Sequence, residues 1–160
     1  MSLSHLDPQG NPRMVDVSGK EPTIRQAVAR SIVWLPAPAQ AVLAAGGDTR
    51  KGNVLQIARI AGIQAAKRTA DLIPLCHPLA LTAVHIDAEV RGDELHLTAT
   101  VRCTGPTGVE MEALTAVSVA ALTAYDMLKA VSHDLVITRT ELLTKTGGKS
   151  GVIDRTAPPA

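Results

Sequence analysis

The chain has 160 residues, enough for a single domain with a substantial core. Sixteen Lys and Arg against fifteen Asp and Glu leave a net charge of +1, which gives no global pull on nucleic acid or on an anionic membrane. With no Phe, one Trp (Trp34) and one Tyr (Tyr125), the composition argues against stacking of bases on aromatic platforms.

Residues 1–13 are polar and hold Pro8, Gly10 and Pro12, which predicts a loose N-terminal arm. The opening MSLSHLDPQGNPRMVDVSGK has no apolar core of a secretory signal, and no apolar run reaches membrane-spanning length. A cytoplasmic protein with Cys76 and Cys103 reduced is therefore expected. MVDVS (14–18) fits helix or strand. TIRQAVARSIVWL (23–35) has Ile24, Val28, Ile32 and Leu35 near helical spacing and Ile24, Val28, Ile32 and Trp34 all at even positions, and of the two it is read as a strand. APAQAVLAAGG (37–47) predicts a short helix closed by Gly46 or Gly47.

NVLQIARIAGIQAAKRTADLI (53–73) predicts a helix capped by Asn53, with Gln56 as the reciprocal partner. Val54, Ile57, Ala61, Ala65 and Arg68 run down one side, and Pro74 ends it. LTAVHIDAEVRGDELHLTATVRC (81–103) alternates as a hairpin turning at Arg91-Gly92-Asp93. GVEMEALTAVSVAALTAYDMLKAV (108–131) is apolar nearly all round, so it is a helix buried on most sides. LVITRTELLTKT (135–146) closes the domain as a strand, and residues 152–160 are read as a flexible tail. Strand, helices, two strands, helix, strand is the split βαβ order of an α+β, ferredoxin-like sandwich. It implies one domain over 14–151, with an antiparallel sheet and helices packed on one face. The small aliphatic core and positive mean hydropathy predict apolar surface buried between identical subunits.

Several residues have chemistry to offer. Cys76-His77-Pro78 fits a metal site, a nucleophile, a strand entry or a pocket wall. It lacks the paired spacing of a zinc centre, since Cys103 is the only other thiol. GGKSG (147–151) resembles the end of a phosphate-binding glycine loop, but Leu143 stands where that motif needs its first Gly, and no long helix follows. Lys149 remains a possible anion contact. Arg50 and Lys51 precede the helix starting near Asn53, where free N–H groups welcome an anion. Asp126 and Lys129 are i,i+3 neighbours in an otherwise apolar helix, and partly dry surroundings would shift their pKa values towards acid–base use. Glu112 lies fourteen residues before Asp126, about 21 Å along a continuous helix. Either one of them lies outside the site, or subunits share it.

KGNVLQIARIAGIQAAKRTADLIPLCHPL (51–79), TGVEMEALTAVSVAALTAYDMLKAV (107–131) and GGKSG together resemble the cyclic pyranopterin monophosphate synthases of molybdenum-cofactor biosynthesis, the MoaC family. The resemblance spans roughly residues 13–151. It implies a ferredoxin-like subunit in a homohexamer, a trimer of dimers, with pockets at subunit interfaces. It also implies a small-molecule substrate, a cyclised dihydro-GTP, and no cofactor, catalytic metal, nucleic acid or membrane partner. By matching motif, Asp126, Lys129 and Lys51 would be catalytic. Leu75, Cys76, His77, Met111 and Glu112 would bind substrate, and Lys149 and Arg25 would lie near its triphosphate. Asn53, where the family often has Asp, keeps the capping function.

Overall fold

In a computed structural model, residues 6–7, 9–148 and 151–156 are described. Thr23–Trp34 forms β1. Its odd positions Ala27, Ala29, Ser31 and Val33 are fully buried, as the two-residue period of a strand with one covered face requires. The even set that reveals the strand in the sequence belongs to the other face, where Ile24 and Trp34 are exposed.

Leu81–Arg91 (β4) and Glu94–Gly105 (β5) form the expected hairpin around Gly92 and Asp93. β5 pairs with β1, and β1 with β6 (Val136–Thr146). Ile153–Asp154 (β7) adds a short outer strand to β6. The sheet order is therefore β4-β5-β1-β6-β7, antiparallel throughout. Asp48–Thr49 (β2) and Gly52–Asn53 (β3) make a separate two-stranded hairpin. The helices are α1 (Ala37–Ala44), α2 (Val54–Lys67), α3 (Thr69–Leu72) and α4 (Glu110–Leu128). α4 lies across β1, β5 and β6, and α2 packs beside it and against β4. This is the α+β ferredoxin-like sandwich that the element order implies.

The core is made of small aliphatics. Val33, Leu35, Leu95, Leu97 and Leu128 fill one end, and Ala27, Ala29, Ala99, Val101, Ala113 and Val117 fill the other. α4 is the one described helix long and apolar enough to cross a membrane, and half of that stretch is buried inside the fold.

Three local expectations change. Met14–Ser18 forms neither helix nor strand. The predicted helix 53–73 breaks at Arg68, and Thr69 starts the short α3 with its hydroxyl donating back to the Ala66 carbonyl. The buried stripe of α2 is Val54, Ala58, Gly62, Ala65 and Ala66, not the Ile57–Ala61–Arg68 side. Small residues face α4 because the two helices approach closely: a Cβ on Gly62 would overlap Ile86 Cδ1 and come within 2.9 Å of the Ala116 carbonyl. Asn53 caps α2 as expected, its Oδ1 accepting from Gln56 N at 3.2 Å. Its Nδ2 donates to the Gly46 carbonyl and to Asp48 Oδ1.

Candidate active site

Two clusters of polar side chains stand at the two ends of α4. At its C-terminal end, Asp126 accepts from Lys51 Nζ at 2.6 Å through Oδ2 and from Lys129 Nζ at 2.7 Å through Oδ1. Lys51 reaches this point because it sits at the tip of the β2–β3 hairpin, whose turn is braced by the Thr49 hydroxyl donating to the Gly52 carbonyl and accepting from Lys51 N. Lys51 Nζ also donates to the Asp126 main-chain carbonyl. It thus serves the C-terminal carbonyls of α4, where a cation is favourable, and not the start of α2 as the sequence suggests. About half of each of the three side chains is open to solvent: 51% for Lys51, 50% for Asp126 and 46% for Lys129.

The two ammonium groups decide the electrostatics. Hydrogen bonds from Lys129 and then Lys51 pull the Asp126 carboxyl down to about 2, and Asp126 raises Lys129 in turn. A near-neutral acid at this position, as the partly dry environment led one to expect, is therefore not what the fold builds. Burial does not outweigh two cations on an exposed carboxylate.

At the N-terminal end of α4, a cavity of about 580 Å³ is walled by Leu75, Cys76 and His77 on one side and by Met111 and Glu112 on the other. Pro74 has ended the helical run, and a turn closed by Cys76 N and the Ile73 carbonyl aims the next residues inward. Glu112 is only 3% exposed. Burial pushes its carboxyl up, and the nearby Glu110 charge adds to the effect. The Cys76 thiol is likewise pushed up by burial and by Glu112, so it stays protonated and is a poor nucleophile. Cys76 and Cys103 are both free thiols. Among the described residues, no three His, Cys, Asp or Glu side chains converge as metal ligands.

A second cavity of about 610 Å³ continues from the first, the two sharing Lys20, Thr107, Gly108 and Glu110. Arg25 and Lys145 line this second cavity. Arg25 donates from Nε to the Gly105 carbonyl and from Nη2 to the Pro106 carbonyl, both at 3.3 Å. Gly148 lies against that guanidinium so closely that any Cβ there would overlap Nη1. Lys145 donates to Glu110 at 2.6 Å, and both are largely covered. Lys149 lies outside the described residues.

The single chain thus unites Lys51, Asp126 and Lys129, and separately unites Leu75, Cys76, His77, Met111 and Glu112, with Arg25 in the adjoining cavity. It does not unite the two sets, because α4 runs unbroken between them. Sequence reasoning missed Lys20 and Lys145. The alternation of β6 could have flagged Lys145, which pairs with Ala27 on β1. Nothing local in the sequence marks Lys20.

The MoaC family profile matches residues 14–148. The chain is 57% identical over 151 residues to a cyclic pyranopterin monophosphate synthase of Roseiflexus sp., covering 93% of this chain and 95% of that protein. To the same enzyme of Deinococcus radiodurans it is 56% identical over 142 residues, covering 89% and 84%. To that of Pelotomaculum thermopropionicum it is 55% identical over 157 residues, covering 96% and 91%. Identity at this level along nearly the whole of both chains leaves one assignment: the chain belongs to the MoaC family.

Proposed function

We infer that the protein is a lyase of molybdenum-cofactor biosynthesis that converts a cyclised dihydro-GTP to cyclic pyranopterin monophosphate with release of diphosphate. The family membership supports the activity. The observation that supports the site is the grouping of cations around two joined cavities, with one buried carboxyl at their inner wall. The reaction opens one ring, builds another and closes a cyclic phosphate, so it needs proton carriers and cations facing a triphosphate.

In this reading Leu75, Cys76, His77, Met111 and Glu112 hold the heterocycle by hydrogen bonds and shape, without aromatic stacking. Arg25, with Lys20 and Lys145 beside it and Lys149 on the GGKSG segment, faces the triphosphate. Asp126, Lys129 and Lys51 form the catalytic group. With Asp126 ionised, the ammonium groups of Lys51 and Lys129 are the proton-bearing partners at that end, and Asp126 orients them.

A single ligand of nucleotide size does not span the length of α4, so a complete site takes the Asp126 end from one subunit and the Glu112 end from another. That geometry supports a homo-oligomer, and a hexamer built as a trimer of dimers accommodates it. The direct test is incubation of the purified protein with the cyclised dihydro-GTP. Diphosphate and cyclic pyranopterin monophosphate are expected in equal amounts. Tight binding without diphosphate release would favour a non-catalytic nucleotide-binding oligomer instead.

A further inference from the structure

His77 makes one hydrogen bond to the protein among the described residues. Its Nε2 lies 2.7 Å from the Val15 main-chain oxygen. A carbonyl can only accept, so Nε2 must bear the proton. The lone pair of the neutral ring is then at Nδ1, which has no partner among the described residues and is not sealed in the core. The ring borders both the 580 Å³ cavity and a smaller neighbouring one of about 270 Å³, and Glu112 borders the same two.

The Val15 carbonyl is held in place by its own short segment. Asp16 Oδ1 accepts from Ser18 N at 2.9 Å and from the Ser18 hydroxyl at 2.7 Å. Lys20 N then donates to the Val17 carbonyl at 3.0 Å. These two turns put the side chains of Val15, Val17 and Lys20 on the cavity and leave Asp16 exposed. The Ser18 hydroxyl, then its amide, hold the Asp16 carboxyl below its ordinary range, with a smaller contribution from the nearby His77 ring. The stretch that reads ambiguously in the sequence is therefore a built wall of the site, made of turns.

We propose that Val15–Lys20 is a positioning segment whose Val15 carbonyl locks His77 as the Nε2–H tautomer, so that any proton His77 exchanges with substrate passes through Nδ1. In that step the Nδ1 lone pair takes a substrate proton and the ring becomes an imidazolium, with Nε2–H retained. The reverse step returns the proton from Nδ1. The tautomer follows from the hydrogen bond alone, whereas its use in proton transfer rests on the function proposed above.

The test uses the full chain labelled with ¹⁵N-histidine and long-range ¹H–¹⁵N correlation spectra, His77 being assigned by loss of its signals in His77→Gln. The expected pattern is a protonated Nε2 and a bare Nδ1. An Nδ1–H tautomer, or an averaged one, overturns the proposal. Asp16→Ala, at an exposed position, removes both Ser18 contacts. It is expected to average the His77 tautomers and to lower kcat/KM by about tenfold. Asp16→Asn, which keeps an oxygen for Ser18, should restore most of both. An Asp16→Ala protein whose His77 pattern is unchanged overturns the positioning role, whatever its rate. If even the parent protein releases no diphosphate, the proposed function fails, and the spectra still decide the tautomer.

Discussion

Asp126 and Glu112 are carboxyls on one helix with opposite electrostatics. Asp126, between two ammonium groups and half in solvent, keeps its carboxyl well below the usual carboxylate range. Its folded pKa, about 2, lies below its ordinary 3.8, so its contribution to stability is present above the ordinary value and lost only as pH falls through about 2. Exposed ion pairs of this kind contribute little to stability. Asp126→Asn is therefore expected to melt within a degree or two of the parent while turnover falls by about 10²-fold or more. Thermal melts and steady-state kinetics check both, and unchanged turnover would remove Asp126 from the mechanism.

Glu112 behaves the other way. Its folded pKa is raised above the ordinary 4.5 by burial first and by Glu110 second. The neutral acid suits the fold, so its favourable contribution is complete below the ordinary value and is lost as pH rises through the raised one. Glu112→Gln should raise Tm at neutral pH, with the gain vanishing at about pH 4. A gain that is equal at both pH values would mean that charge burial is not its cause.

Among the elements, α2 packs along α4, the helix that carries both polar clusters. Ala58, Gly62, Ala65 and Ala66 on α2 meet a helix half of whose buried positions are Ala. Close approach of the two backbones leaves no room for a methyl at Gly62. Gly62→Ala improves helix propensity by up to about 1 kcal/mol, yet overpacking costs of about 1–3 kcal/mol should outweigh it. Denaturant titration should therefore give a net loss of stability, and a stabilised variant would mean that the helices can separate without cost. The β2–β3 hairpin shapes the site, because it carries Lys51 across to the end of α4. The sequence shows Lys51 ahead of a helix and suggests that helix as its partner, whereas the hairpin turns it towards a different one.

For the whole molecule, an unbroken α4 keeps the Lys51–Asp126–Lys129 cluster about 21 Å from Glu112. Lys51 and Asp126 touch, so two variants at those positions damage the same cluster. A complementation test needs one lesion at each end. Mixed oligomers of Glu112→Ala and Asp126→Ala subunits should recover activity that neither protein has alone, because one combination of ends is intact. Absence of recovery in verified mixed oligomers would mean that each site is made within one chain.

The periodicities of the chain specify its elements. The alternation along 81–103, the apolar circumference of 108–131 and the Pro74 stop are local properties, and from them the sandwich order follows. The IPLCHPL and GVEMEAL blocks, residues 73–79 and 108–114, point to one site only through their resemblance to the MoaC family, and it is the fold that brings them together as two walls of one cavity. What lay beyond local rules was which face of β1 is covered, which stripe of α2 is buried, where Lys51 points and that Lys20, Glu110 and Lys145 join Arg25. Each depends on contacts between segments distant in the chain. Charge follows the same division: residue type tells that Asp126 and Glu112 can ionise, but the neighbours that folding brings to each push one carboxyl down and the other up.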